Sequence, residues 1–140
     1  MCTSIRPTIS ERNKYWIDKH RYYELKHFCL QYDSWKRAYA ALEELDVSSP
    51  VMDSTGVKTH EHSDPTSRLA LAKTYYSEKI KMVERIAMEA DESIGEYILR
   101  AVTEELSYTY LKSRLEIPCG RDMYYDRYRR FFWLLSKVRN

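Results

Sequence analysis

Apolar side chains return every three or four residues along most of the chain, the interval at which an α-helix places positions on one face. In "HRYYELKHFCLQYDSWKRAYAALEEL" these positions are Tyr22, Leu25, Phe28 or Cys29 and Tyr32, followed by Trp35, Tyr39 and Leu42. Asp33 between the two sets is suited to cap a new helix. The spacing predicts two consecutive helices, over about 18–32 and about 34–45.

A longer series follows. Asp64 accepts hydrogen bonds from exposed amides, and Pro65 at the first helical position gives up no useful donor, so the pair marks a helix start. Leu69, Ala72, Tyr76, Ile80, Val83, Ala87 and Ala90 then predict a helix over 65–90. So regular a seam wants a partner, either the Trp35 or Tyr22 face or a second copy of the chain. Asp91 to Ser93 can restart the chain, with Ile94, Tyr97, Ile98, Ala101, Val102 and Leu106 on a further face. "SYTYLKSRL" reads as a short helix, "EIPCG" as a break, and 121–138 as the final helix. Within the break Ile117 can plug the space between two helices, Pro118 stops the first from continuing, and Gly120 is free to turn.

Residues 46–64, "DVSSPVMDSTGVKTHEHSD", are poor in large apolar side chains and read as a flexible linker. The organisation expected is an amino-terminal helical pair (1–45), the linker (46–64), and a long helix with a carboxyl-terminal helix-turn-helix (65–140), all in one compact domain. At 140 residues and 44% apolar content the chain can bury one core, and three glycines with four prolines favour helices over a turn-rich β fold. The predicted fold class is all-α.

The net charge of +2 conceals a gradient. From Lys112 onward eight Lys or Arg oppose three Asp or Glu, so the tail carries +5 and residues 1–111 carry −3. A local positive surface matters more to a polyanion than the average does. Cys2, Cys29 and Cys119 are odd in number and widely spaced, which suggests free thiols in a reducing cytoplasm. No apolar run reaches the ~20 residues of a membrane span, and the amino terminus lacks the apolar middle of a signal peptide.

On a wheel of about 100° per residue, Tyr124, Tyr128, Phe131, Leu135 and Val138 share one side of the last helix, flanked by Phe132 and Leu134. The other side carries Asp122, Asp126, Arg129, Arg130, Trp133 and Lys137, with Arg121 at its amino end. In a DNA-reading layout Lys112, Arg114, Arg129, Arg130 and Lys137 are placed for phosphates, and Arg121 and Tyr125 for base edges. Asp122 and Asp126 oppose that use unless they accept from a cytosine amino group or a neighbouring arginine. Trp133 needs cover from the amino-terminal helices or from a partner.

"AVTEELSYTYLKSRLEIPCGRDMYYDRYRRFFWLLSKVR" resembles the carboxyl-terminal part of small phage and prophage late-gene transcriptional regulators of the ArpU and RinA type, from Gram-positive bacteria. Ile117, Pro118, Tyr124, Tyr125, Arg127, Arg129 and Arg130 match that family's apolar residue, turn and aromatic, arginine-dense helix; Gly120 stands where a serine cap is commoner. The resemblance implies a helix-turn-helix akin to sigma factor region four, a double-stranded DNA target, RNA polymerase as a further partner and a host-cell cytoplasmic location.

Blander readings compete at each point. The basic helix also reads as a solvated charged face over an ordinary core, and the long seam as the backbone of the fold. His60, Glu61, His62 and Asp64 sit in a linker that fixes no geometry, so no metal is expected. Cys119 beside the basic tail is a candidate for a depressed thiol pKa but reads better as a packing residue. Glu104 and Glu105 point to different sides of a helix and form no acid–base pair. No phosphate-cradling glycine loop, nucleophile elbow or HExxH spacing occurs, so neither an enzyme nor a cofactor is expected. The expected function is DNA-binding transcription regulation. Its rivals are a phage-encoded inhibitor of a host defence protein and a helix-turn-helix DNA-packaging factor.

Overall fold

The computed structural model describes residues 11–48 and 64–140. They form six α-helices and, among the described residues, no strand: α1 (Lys19–Cys29), α2 (Tyr32–Ser48), α3 (Pro65–Ala90), α4 (Gly95–Glu104), α5 (Tyr108–Arg114) and α6 (Arg121–Val138). The chain is all-α. The predicted bounds of α3 and α6 coincide with those observed.

Local chemistry sets most helix starts. Asp18 accepts from the His20 amide at 2.9 Å to cap α1, and Asp64 accepts from the Thr66 amide at 3.1 Å ahead of Pro65 to cap α3. Ser107 accepts from the Tyr110 amide at 3.1 Å to cap α5. Asp33 differs from expectation. It lies inside the first turn of α2 and pairs with Arg37 at 3.2 Å, because α2 starts at Tyr32 with its first turn held by Trp35 N–H donating to the Gln31 carbonyl. α2 also runs through Ser48, two residues into the segment expected to be linker; the rest of that segment up to Ser63, including His60 and His62, lies outside the described residues.

Two helices end on residues in the left-handed region. Glu105 (φ 58°) closes α4, where Leu106 N–H returns to the Ala101 carbonyl at 3.1 Å. Glu116 (φ 55°) follows α5, and Ile117 N–H returns to the Leu111 carbonyl at 3.0 Å. The turn expected at Gly120 is therefore made at Glu116. Gly120 is extended (φ −81°, ψ 172°), a conformation open to any residue, and caps α6 without a side chain.

The core lies where α6 packs on α1, α3 and α4. Leu25, Val83, Ile98, Leu111, Ile117, Tyr124, Phe131 and Leu135 are all fully enclosed. Ile117 acts as the expected plug. Phe132, placed at the flank of the α6 wheel, is 2% exposed, whereas Val138, placed in the core, is 40% exposed because α6 ends there beyond the body. α3 and α4 meet closely: a Cβ at Gly95 would approach the Ala87 carbonyl oxygen to 3.1 Å.

α2 packs principally on α3. Its buried residues, Tyr32 and Trp35, lie at its start, and those of α3, from Val83 on, lie in its second half. The remaining lengths form a two-helix arm, which Lys73 ties by ion pairs to Asp46 at 3.4 Å and Glu43 at 3.8 Å. Leu45, Val47, Leu71 and Tyr75 stand exposed on this arm.

Candidate nucleic-acid interface

The cations singled out by the sequence divide into two groups. Lys112, Arg114 and Arg121 are exposed at the corner where α5 gives way to α6. The corner is braced from within: Tyr108 Oη donates to the Cys119 carbonyl at 2.7 Å, and Lys112 Nζ reaches the Ile117 carbonyl at 3.4 Å. The Arg121 guanidinium lies 5.1 Å from the centre of the Tyr108 ring, and it hydrogen-bonds Tyr125. Burial pushes the Tyr125 phenol above its ordinary pKa, and the Arg121 charge and hydrogen bond only partly offset this.

The second group is half-buried along the middle of α6. Arg130 Nη1 donates to Tyr15 Oη at 3.1 Å, and the Nε atoms of Arg129 and Arg130 are shut from solvent without an acceptor among the described residues. Tyr15 is 7% exposed and packs its ring 5.6 Å from Trp133, which gives Trp133 its cover from the segment before α1. Lys137 Nζ sits 4.2 Å from the Trp133 ring centre. Exposed positions on α6 are confined to its ends: Arg121, Asp122 and Met123 at one, Lys137 and Val138 at the other.

Arg127, which the sequence offered only as part of a pattern, anchors α6. Its Nε donates to Asp91 at 2.8 Å, and its guanidinium also pairs with Asp126. Asp126 thus has the neighbouring arginine that a basic surface requires of it. Asp91 meanwhile accepts from the Ser93 and Ile94 amides at 2.8 and 3.2 Å, which makes the expected restart between α3 and α4. Tyr15 and Asp91 escaped sequence reasoning as partners of α6; the aromatic pair Tyr15–Trp16 just ahead of Asp18 was the available signal.

The remaining candidate chemistry is structural. Burial raises the Cys119 thiol pKa more than Lys112 and Arg127 lower it, so Cys119 is not an activated thiol. Glu104 pairs with Arg100 at 3.0 Å and Glu105 with Lys26 at 3.2 Å, on different sides of α4. Among the described residues no cluster of His, Cys, Asp and Glu has the makings of a metal site, and no helix is long and apolar enough to cross a membrane. No protein-family model, curated protein or solved structure matches the chain.

Proposed function

We propose that the chain binds double-stranded DNA through the α5–α6 corner, as a helix-turn-helix regulator of the phage type. The observation that carries this reading is the joint exposure of Lys112, Arg114 and Arg121 around the amino end of α6. In this mode the amino end of α6 enters the major groove, Lys112 and Arg114 hold backbone phosphates, and Arg121 with Tyr125 faces base edges. The stacking of Arg121 on Tyr108 supports it, because a pre-positioned guanidinium loses less freedom on binding. Lys137 lies 16 residues further along α6, about 24 Å away at 1.5 Å per residue, beyond the reach of a groove about 12 Å wide.

The test is an anisotropy titration of duplexes from the DNA flanking the gene, at two salt concentrations. Replacing Lys112, Arg114 and Arg121 together with alanine is expected to weaken binding to every duplex and to flatten the salt dependence by about 2.7 log units per log unit of salt, about 0.9 for each lost phosphate contact. Unchanged affinity in the folded triple variant rules the corner out.

One observation favours a second reading, a protein partner such as a host defence factor. Leu71 and Tyr75, one helical turn apart on α3, are 70% and 57% exposed, beside Leu45 and Val47 on α2. Capture of such a partner by the intact arm, and its loss in Leu71→Glu, would favour this reading over DNA binding.

A further inference from the structure

On the flank of α6 the described residues leave an open cleft of about 600 Å³, lined by Lys14 and Tyr15 from the segment before α1, by Ala90 to Ser93 from the α3–α4 junction, and by Arg127 and Arg130 from α6. The lining holds three cations against two carboxylates, Asp91 and Glu92, and their distribution matters more than the difference. Arg127 is committed to Asp91 and Asp126. Arg130 has no carboxylate partner among the described residues; its hydrogen bond goes to the neutral Tyr15 hydroxyl at 3.1 Å. Lys14 is exposed, with its ammonium 5.0 Å from the Tyr15 ring centre.

Three features give this arrangement a direction. Arg130 is shielded on one side, since its Nε is enclosed, so its charge is less screened by water than that of a free surface arginine. The Tyr15 hydroxyl accepts from Arg130, which leaves its own proton to donate outward. Lys14 adds a mobile ammonium at the rim. A guanidinium, a phenol proton and an ammonium around one opening suit an oxyanion with several acceptor oxygens. Glu92, exposed at the rim, opposes it by a single charge.

We infer that this cleft binds a phosphate group, with Arg130 as its fixed anchor, Tyr15 as a hydrogen-bond donor and Lys14 as the closing charge. The site is independent of the α5–α6 corner: Arg130 lies nine residues, about 14 Å, along α6 from Arg121. The phosphate belongs either to a small phosphorylated ligand or to a DNA backbone passing the side of α6.

The experiment titrates inorganic pyrophosphate into the full chain, read by calorimetry and by the amide and guanidinium resonances of Tyr15 and Arg130. Saturable binding is expected. Lys14→Gln and Arg130→Gln should each weaken it by about tenfold or more, the scale of one charge-assisted hydrogen bond, and Tyr15→Phe by less. No saturable binding at millimolar pyrophosphate overturns the inference. So does wild-type affinity in Lys14→Gln, a change at an exposed residue that leaves the fold intact and keeps the test decisive should Arg130→Gln not fold. A duplex added to the Lys112, Arg114 and Arg121 triple variant then identifies the source. Displacement of pyrophosphate assigns the site to DNA backbone, and its retention assigns the site to a small ligand. Pyrophosphate binding by a wild-type chain that binds no duplex sustains the cleft while refuting the DNA reading.

Discussion

Asp91 Oδ2 accepts from Arg127 Nε at 2.8 Å while Asp91 Oδ1 accepts from the Ser93 amide at 2.8 Å, so one carboxylate both ends the longest helix and fastens α6 to it. Its side chain is 10% exposed. Burial pushes the Asp91 carboxyl upward, but the hydrogen bonds from Ser93, Arg127 and Ile94 outweigh it and hold the pKa below the ordinary aspartate value. Since the folded pKa is depressed, the ionised group contributes stability in full above the unfolded value of about 3.9. That contribution is lost as pH falls through the lower folded value. Asp91→Asn is therefore expected to lower the urea midpoint at pH 7 and to flatten the acid limb of the stability profile below about pH 4. Asp91→Ala should cost about 1–3 kcal/mol at neutral pH. A variant with the wild-type acid limb would show that Asp91 does not carry this linkage.

Tyr22 and Tyr128 join α1 to α6 through their hydroxyls, 2.8 Å apart in the core. Burial raises both phenol pKa values; the shared hydrogen bond lowers that of Tyr22 in part. Either single change to phenylalanine strands the partner's hydroxyl, at about 1–2 kcal/mol. The double change strands none and should recover part of that loss, so the double-mutant cycle should show a coupling of about 1 kcal/mol. Additive losses in urea unfolding would mean that the two hydroxyls do not share a bond in solution.

The helices were legible because each carries its own code: Asp64–Pro65 begins α3, and the three- and four-residue recurrence from Leu69 to Ala90 continues it. The buried face of α6 was legible for the same reason, apart from Val138, whose exposure depends on where the helix outruns its neighbours. What a wheel cannot contain is what covers the opposite face. The polar side of α6 reads as one basic surface, yet Tyr15 from 115 residues earlier accepts from Arg130 and packs on Trp133. Asp91 similarly engages Arg127 from 36 residues away. Only the corner cations Lys112, Arg114 and Arg121 stand as exposed as their sequence suggested, since helix ends project beyond their neighbours.

Tyr124 is completely enclosed, and its hydroxyl has no hydrogen-bond partner among the described residues. Its ring packs 5.4 Å from that of Tyr108 and 5.9 Å from that of Tyr128, so the aromatic surface supplies the packing and the oxygen adds only a desolvation penalty. Tyr124→Phe keeps the ring and removes the penalty. Denaturant unfolding should find the variant as stable as the wild type or about 1 kcal/mol more so. A loss larger than that would show the hydroxyl to be held by a partner.

Glu116 carries the turn between α5 and α6 in the left-handed region, at φ 55°. A residue with a Cβ pays roughly 1–2 kcal/mol for that conformation, and glycine does not. The side chain is exposed and has no ion-pair partner among the described residues, so its removal forfeits little else. Glu116→Gly also frees the unfolded chain, which offsets part of the gain, leaving an expected stabilisation of about 0.5–1 kcal/mol. Because Ile117 must turn inward directly after this residue, the β-branched Glu116→Val should act in the opposite sense, lowering the unfolding midpoint and loosening the corner that holds Lys112 and Arg121. Equal midpoints for the glycine and valine variants would show that the left-handed turn is not maintained in solution.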